Sequence, residues 1–140
     1  MANMDCIFCK IVKGELPAIK VYENGHVLAF FDIRPVSLGH TLLVPKEHAT
    51  DMLDATPTML QELSVASQKV AKAMVAGLEL PGFNLAMNNG SVAGQIIFHL
   101  HWHLIPRHPS DGLKLWPARA PYPPGEAEKI AEKIKASLTL

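Results

Sequence analysis

The chain has 140 residues, a length that fits one globular domain with a substantial hydrophobic core. Its 13 basic and 13 acidic residues cancel, which excludes a broad charged surface for nucleic acid or membrane lipid. The N-terminus has no leader-like pattern, and no run approaches the roughly 20 apolar residues of a bilayer span. Two cysteines exclude a secreted disulfide framework, so we expect a soluble cytoplasmic protein.

The two cysteines, Cys6 and Cys9, form a Cys-x-x-Cys pair near the start of the chain. Such a pair is compatible with half of a zinc site, a redox pair or two buried thiols. A redox pair normally opens a helix inside a β-α-β unit, and the residues before Cys6 are too few for the preceding strand. We therefore favour zinc over a redox pair, and histidines are the natural candidates for the two further ligands.

Two apolar segments on either side of Asn24-Gly25 predict a β-hairpin, with strands over residues 19–23 and 26–31. Asp32 follows the second strand, where its carboxylate either caps the next turn or accepts hydrogen bonds from a ribose diol. A third strand is predicted over residues 41–44, because Pro45 cannot donate to a β-ladder. His48, in the loop after that strand, would on its own be a solvated histidine.

The longest predicted helix begins with Thr56 as its N-cap and Pro57 as its first residue, and it runs for about six turns. Its apolar residues recur at helical spacing and predict a stripe that faces the core. A fourth strand is predicted over residues 83–87. The proline-rich stretch 109–124 predicts irregular structure, and a last amphipathic helix follows over residues 125–139. The inward face of that helix is predicted to consist of Ala127, Ile130, Ile134 and Leu138.

The segment between the fourth strand and the next one, residues 88–95, is small, polar and rich in glycine. Such a segment is either an ordinary hairpin loop or a loop whose backbone N–H groups hold an anion, since glycine allows close approach of the backbone. It lacks the spacing of the common glycine-rich phosphate motifs. The histidines that follow it make the phosphate loop the better interpretation.

Three histidines, at positions 99, 101 and 103, alternate with bulky apolar residues in a predicted fifth strand over residues 96–105. A period of two places the histidines on one face of a strand and Leu100, Trp102 and Leu104 on the core face. The simpler alternative is a set of histidines on the solvated face of an amphipathic strand. Three imidazoles in register, directly after a glycine-rich loop, favour a chemical role.

The spacing of side chains along a strand implies that the three histidines have different roles. Alternate residues lie about 6.6 Å apart and the outer pair about 13 Å apart, whereas Zn–N bonds measure about 2.0–2.1 Å. Three histidines of a regular strand therefore do not converge easily on one metal ion, which disfavours a zinc hydrolase with its metal at the triad. One end could share a metal with the cysteines, and the others could serve a phosphate reaction in which a neutral imidazole is the nucleophile.

Residues 99–105 resemble the histidine-triad (HIT) signature, in which three histidines alternate with apolar residues. The similarity includes Asn88, Gly90, Gly94 and Gln95, and also the segments 6–11, 30–35 and 39–48; it spans residues 5 to about 108. The resemblance implies an α+β fold: an antiparallel five-stranded sheet with one long helix and a C-terminal helix. It also implies one HIT-like domain over residues 1–140 and a homodimer with one continuous sheet.

The resemblance implies a nucleotide hydrolase or transferase that acts at the α-phosphate of a purine nucleotide conjugate. The conjugate would be a phosphoramidate, an acyl-adenylate or a dinucleoside polyphosphate. His101 matches the nucleophile that becomes nucleotidylated, and a regulatory nucleotide-binding module without turnover is the alternative. By the same match, His103 and Asn88 contact the phosphate, and Gln95 positions the phosphate or the leaving group. Asp32 binds the ribose. The base lies in an apolar slot formed by Phe8, Ile11 and Ile33.

The resemblance also bears on the cysteines, because related nucleotidyltransferases hold a structural zinc ion with two cysteines and two histidines. By that match the zinc ligands are Cys6, Cys9, His48 and His99, and the chemistry itself needs no cofactor. One position departs from the family pattern. Ile96 stands where many members have serine or threonine, so a hydroxyl that could contact the phosphate or the leaving group is missing.

Overall fold

The computed structural model describes residues 5–138. They divide into two compact units, the first ending at Pro109 and the second beginning at Ser110. Between residues 5 and 138, no helix has both the length and the apolar character needed to cross a bilayer. The elements in chain order are α1 (Ile7–Val12), β1 (Lys20–Glu23), β2 (Val27–Phe31), β3 (Thr41–Pro45), α2 (Pro57–Leu78), β4 (Gly82–Ala86), a 3-10 turn (Ser91–Ala93), β5 (Trp102–Arg107) and α3 (Glu126–Ser137).

The five strands form one antiparallel sheet in the order β1-β2-β3-β5-β4, which confirms the predicted α+β architecture. The hairpin around Asn24-Gly25 is present, and the Asn24 side chain accepts the N–H groups of His26 and Val27 at 2.8 Å. α2 also begins as predicted, because the Thr56 hydroxyl accepts the N–H of Met59 and Pro57 is the first helical residue.

β2 is apolar throughout, and β3 is apolar from Leu42 to Pro45, because both faces of the sheet are covered there. On one face, Val27, Ala29 and Leu43 pack with residues of α2 such as Leu63 and Val70. The opposite face belongs to α1. There the alternate residues Leu28, Phe30, Leu42 and Val44 pack with Cys6, Phe8, Cys9 and Ile11. The short helix α1, which the sequence analysis did not predict, thus completes a second apolar layer.

The predicted fifth strand over residues 96–105 was wrong in its bounds, since β5 begins at Trp102 and ends at Arg107. Its ladder with β3 reaches the pair Leu43–Trp102, and Pro45, which has no N–H, lies two residues further along β3. His99 and His101 therefore precede the strand. The predicted core face is nevertheless confirmed, because Leu100 and Leu104 are buried under α2 and Trp102 packs against the same cluster.

The second unit contains α3 and the proline-rich stretch before it, which has no helix or strand, as predicted. The predicted inward face of α3 was wrong. No residue of α3 is buried, and Ile130, Ile134 and Leu138 are exposed. The physical reason is that residues 110–138 contain no helix or strand besides α3, so this unit has no second layer of its own against which the stripe could pack.

Candidate active site and metal centre

The two cysteines at the start of α1 lie beside two histidines from other parts of the chain. Cys6 is the N-cap of α1, where its Sγ accepts the N–H of Cys9 at 3.3 Å. His99 Nδ1 lies 3.3 Å from Cys6 Sγ and 3.5 Å from Cys9 Sγ, and His48 Nδ1 lies 3.4 Å from Cys9 Sγ. All four ligand atoms lie within 4.8 Å of one another, so these residues could hold a metal ion.

The donor set fits a tetrahedral zinc ion. Bonds of about 2.3 Å to sulfur and about 2.05 Å to nitrogen place tetrahedral ligand atoms about 3.3 to 3.8 Å apart, close to the separations given above. His99 Nε2–H donates to the Pro45 carbonyl at 2.9 Å, so Nδ1 keeps its lone pair. His48 Nδ1 lies only 3.1 Å from that nitrogen, a contact that a shared cation would stabilise.

Burial disfavours charge at both ends of this cluster. Burial raises the pKa of the Cys6 thiol, and it lowers the pKa of His99 to about 4, which keeps the imidazole neutral at neutral pH. A neutral imidazole is the form that binds a metal, and a bound cation would lower the thiol pKa in turn. The His48 position corrects the solvated-loop expectation, because this side chain is half-buried beside Cys9.

The other two histidines of the triad have their ring nitrogens assigned by neighbouring groups. His101 Nδ1–H donates to the His99 carbonyl at 2.8 Å, so the Nε2 of His101 carries a lone pair. His40 Nδ1 accepts the N–H of Val36, so its Nε2–H donates to His103 Nδ1 at 2.8 Å. The proton of His103 is therefore on Nε2, a buried donor with no hydrogen-bond partner in the described structure.

All three of these rings are neutral near pH 7, because burial lowers the pKa of each. Burial lowers the pKa of His103 to about 4, with contributions from neighbouring His101 and His40, while Asp32 opposes the shift. Burial is also the main cause of the lowered pKa of His101 and of His40. A neutral ring with a free lone pair at His101 and a free N–H at His103 offers a nucleophile beside a hydrogen-bond donor.

A cavity of about 470 Å³ lies against these histidines. It brings together most of the predicted substrate residues from distant parts of the chain. Phe8 and Ile11 are buried, whereas Ile33 is 92% exposed, so these apolar residues form a floor and a rim. The predicted site residues that line the cavity are Phe8, Ile11, Asp32, Ile33, Asn88, His101 and His103.

Asp32 shows the turn-capping contact and also faces the cavity. Its Oδ1 accepts the N–H of Arg34 at 2.8 Å, and its Oδ2 lies 3.9 Å from Nε2 of His40. The second oxygen is therefore oriented toward the histidines. Asp32, His40 and His103 form a second group that could hold a metal, although the hydrogen bond between the two histidines already occupies His40 Nε2 and His103 Nδ1.

The glycine-rich loop is held from beneath by Gln95. This side chain is 3% exposed and does not line the cavity; its Oε1 accepts the N–H of Gly90 at 2.8 Å. Its Nε2 donates to the carbonyls of Thr50 and Ile97 at 2.8 and 3.1 Å. Gly94 has a φ of +94°, and a Cβ there would lie 3.4 Å from the Asn88 amide nitrogen. The loop can therefore approach a ligand closely where Asn88 lies.

Replacing Gln95 with leucine is expected to lower the free energy of unfolding by about 1 to 3 kcal/mol, because it leaves a buried N–H and two carbonyls without their partner. Urea unfolding measures the change. The matched control is Gln61→Leu, since Gln61 is exposed on α2 and should change stability by less than about 0.5 kcal/mol. Equal effects of the two substitutions would contradict the role of Gln95 as the support of the loop.

The sequence analysis missed two residues that the structure brings to the site. His40 assigns the tautomer of His103; it lies in the segment 39–48 that carries the family resemblance, but it was assigned no role there. Arg34 is the only lysine or arginine that lines the cavity within residues 5–138. Arg107, at the end of β5, donates to Asn84 on β4 at 2.7 Å and does not line the cavity.

Comparison with known proteins identifies the family. A model described as the HIT domain matches residues 13–110. "Protein hit" of Bacillus subtilis is 42% identical over 137 residues, which cover 96% of this chain and 94% of that protein. The "Adenosine 5′-monophosphoramidase hnt1" of Schizosaccharomyces pombe is 40% identical over 137 residues, which cover 96% of this chain and 99% of that protein.

Solved structures agree with this assignment. A Streptococcus mutans protein superposes with a TM-score of 0.91 at 40% identity, covering 96% of this chain and 85% of that one. A structure described as a Zn-bound histidine triad family protein from Mycobacterium smegmatis superposes with a TM-score of 0.76 at 36% identity, covering 96% of this chain and 99% of that one. Sequence and structure together show that the chain belongs to the HIT-domain family.

Proposed function

We propose that the protein hydrolyses, or transfers the nucleotidyl group of, a purine nucleotide conjugate through an adduct at His101. The observation that carries the proposal is the tautomer of His101. Its Nδ1–H is bound to the His99 carbonyl, so a neutral Nε2 lone pair is available in a ring that lines the cavity. The S. pombe relative, named an adenosine monophosphoramidase, supports the same reaction class.

The residues around the cavity supply a binding site for each part of a nucleotide. In this proposal the base lies among Phe8, Ile11 and Ile33, and the ribose diol donates to the Asp32 carboxylate. The α-phosphate lies between His103 and the loop that begins at Asn88. Its oxygens accept the Nε2–H of His103, which satisfies a buried donor that has no other partner in the described structure.

The reaction then has two steps. His101 Nε2 attacks phosphorus, a P–N bond to the imidazole forms, and the bond between phosphorus and the leaving group breaks. Water attacks the adduct in the second step, and the nucleoside monophosphate leaves as the imidazole recovers its lone pair. The leaving group takes up a proton from solvent as it departs in the first step, and the attacking water returns a proton to solvent in the second. Overall, one water is consumed and its oxygen stays on phosphorus. Gln95 supports this chemistry by holding the phosphate loop in place.

We further propose that the ion held by Cys6, Cys9, His48 and His99 is zinc and that its role is structural. The two-sulfur, two-nitrogen donor set suits zinc, and the zinc-bound M. smegmatis relative supports the choice. When bound, the ion joins α1 to the chain segment before β5. Thiol ligands of this kind persist in a reducing compartment, which supports the cytoplasm as the site of action.

Release of nucleoside monophosphate tests the proposed function. Purified protein is incubated with an adenosine 5′-phosphoramidate, and AMP is measured by chromatography while binding of AMP is measured by calorimetry. We expect both binding and catalytic release of AMP. If AMP binds but is not released from a phosphoramidate, an acyl-adenylate or a dinucleoside polyphosphate, the proposed enzymatic function is wrong. That result would favour the regulatory nucleotide-binding module.

We also propose that two copies associate through β4 into one continuous sheet. β4 is an edge strand, and it exposes the large apolar residues Phe83 and Leu85. Between this strand and α2 lies an apolar groove of about 600 Å³, and the buried hydroxyl of Ser67 in its lining has no hydrogen-bond partner in the described structure. The edge therefore has the features of a surface that another strand covers.

Replacing Leu85 with aspartate is expected to convert the dimer to a monomer, because the new carboxylate would be desolvated in the interface. Light scattering coupled to gel filtration measures the molar mass. The control is Leu53→Asp, since Leu53 is exposed in the loop before α2 and lies outside the groove. A monomeric wild-type protein, or a dimer that survives Leu85→Asp, would contradict this interface.

A further inference from the structure

The cavity wall that follows the phosphate loop is apolar and exposed. Ile96 is 84% exposed and lines the cavity together with Ile97 and His101. Of the aspartate, glutamate, lysine and arginine residues in the described chain, only Asp32 and Arg34 line this cavity, and both belong to the β2–β3 connection. The side chains of Ile96 and Ile97 therefore offer neither a charge nor a hydrogen bond to a ligand.

The position of Ile96 is fixed by its neighbours. Gln95 before it is buried, and the Nε2 of Gln95 donates to the carbonyl of Ile97 after it, so a short hydrogen-bonded ring encloses the backbone of Ile96. A second bond from the same Nε2 to the Thr50 carbonyl anchors this ring to another segment. A β-branched side chain on such a backbone has few rotamers, so the exposed apolar surface is rigid.

From this arrangement we infer that Ile96 is a specificity-determining residue, which selects an uncharged apolar leaving group on the α-phosphate. The inference rests on the proposed function. If base and ribose lie at Phe8 and Asp32, and the phosphate lies at His101 and Asn88, the wall at Ile96 adjoins the phosphate, because Ile96 follows closely on Gly94, which lies beside Asn88. The leaving group then contacts this wall as it departs from phosphorus.

The discrimination between charged and apolar leaving groups comes from the cost of desolvating a charge. A charged leaving group, such as a carboxylate-bearing amine or a polyphosphate, loses water against Ile96 and gains no partner there. An aromatic or aliphatic group instead buries apolar surface against the same side chain. Differences of this kind are worth about 10-fold to 200-fold in kcat/KM.

Two adenosine 5′-phosphoramidates that differ only in the leaving amine test the inference. One carries 2-phenylethylamine and the other carries 3-aminopropanoate, amines of similar basicity with the same P–N bond. We expect wild-type protein to prefer the aromatic substrate by about 10-fold or more in kcat/KM. Ile96→Ser should reduce that preference to less than about 3-fold, and Ile96→Lys should shift it toward the carboxylate substrate. The matched control, Leu53→Ser, removes an exposed apolar side chain outside the cavity and should leave the ratio unchanged.

The same experiment separates the inference from the proposed function. If wild-type protein releases AMP from both substrates at equal kcat/KM, or if Ile96→Lys leaves the ratio unchanged, the inference is overturned while the proposed function stands. If it releases AMP from neither substrate, the inference fails; if it also releases no AMP from an acyl-adenylate and a dinucleoside polyphosphate, the proposed function fails with it. AMP affinity, measured by calorimetry, should be the same in wild type and in both Ile96 variants, because AMP has no leaving group.

Discussion

Replacing His101 with alanine is expected to lower kcat for AMP release from an adenosine phosphoramidate by at least about a thousandfold. The substitution removes the nucleophile, and no second imidazole can take its place. His103 has its proton on Nε2 because its Nδ1 accepts from His40, and His99 donates its Nε2–H to Pro45. AMP should still bind within about tenfold of the wild-type affinity, since the base and ribose contacts remain.

Steady-state kinetics and intact-protein mass spectrometry after brief mixing measure this effect. The mass of a nucleotidyl adduct should appear in wild-type protein and should be missing from His101→Ala. His26→Ala is the matched control, because His26 is an exposed histidine in the turn between β1 and β2. Its turnover should equal that of the wild type. Full activity in His101→Ala would overturn the covalent mechanism, even if the protein proved to be a hydrolase.

The second large effect is expected at the cysteine cluster. Wild-type protein should contain about one zinc ion per chain, and Cys9→Ser should contain almost none, because one of four ligands is lost and the sulfur donor is replaced by a weak oxygen donor. The melting temperature should fall by about 10 °C or more, since the ion ties α1 to His48 and His99. Elemental analysis and calorimetry measure the two quantities.

A second variant distinguishes between the two groups of possible ligands in the described chain. Asp32→Asn removes the carboxylate of the group formed with His40 and His103, and it should leave both the zinc content and the melting temperature near those of wild type. The opposite result, with metal lost in Asp32→Asn and kept in Cys9→Ser, would place the ion at the cavity. The proposal that the ion has a structural role would then be wrong.

Local sequence patterns were sufficient for most of the sheet and for α2. Strands β1 to β4 and the start of α2 follow from alternation, turn residues and the Thr56-Pro57 cap, which act over a few residues. β5 began later than predicted, because its ladder depends on Pro45 in a different strand. The face of α3 was also mispredicted, since amphipathic spacing describes a helix and says nothing of whether a partner surface is present.

The candidate site was partly predictable for a related reason. Residue type and spacing pointed to the cysteines and the histidines, because few side chains can bind metal or attack phosphorus. Contacts between residues far apart in the sequence could not be predicted. The bond between His40 and His103, and the bridge from Gln95 to Thr50, join segments whose proximity is determined only by the folded sheet. Arg34 lies in the matched segment 30–35, but a surface arginine in a turn has no feature that shows that it lines a cavity.

The ring contacts of the triad give three chemically identical side chains three different properties. The carbonyls of Pro45 and His99 leave His99 and His101 each with an available lone pair, whereas His40 leaves His103 with a hydrogen to donate. Two of these three partners are main-chain atoms. Because every residue type carries a carbonyl, substitutions at these partner positions would leave no trace in a comparison of sequences as long as the backbone stayed in place. A small shift of the backbone could therefore abolish the reaction in a relative that retains all three histidines.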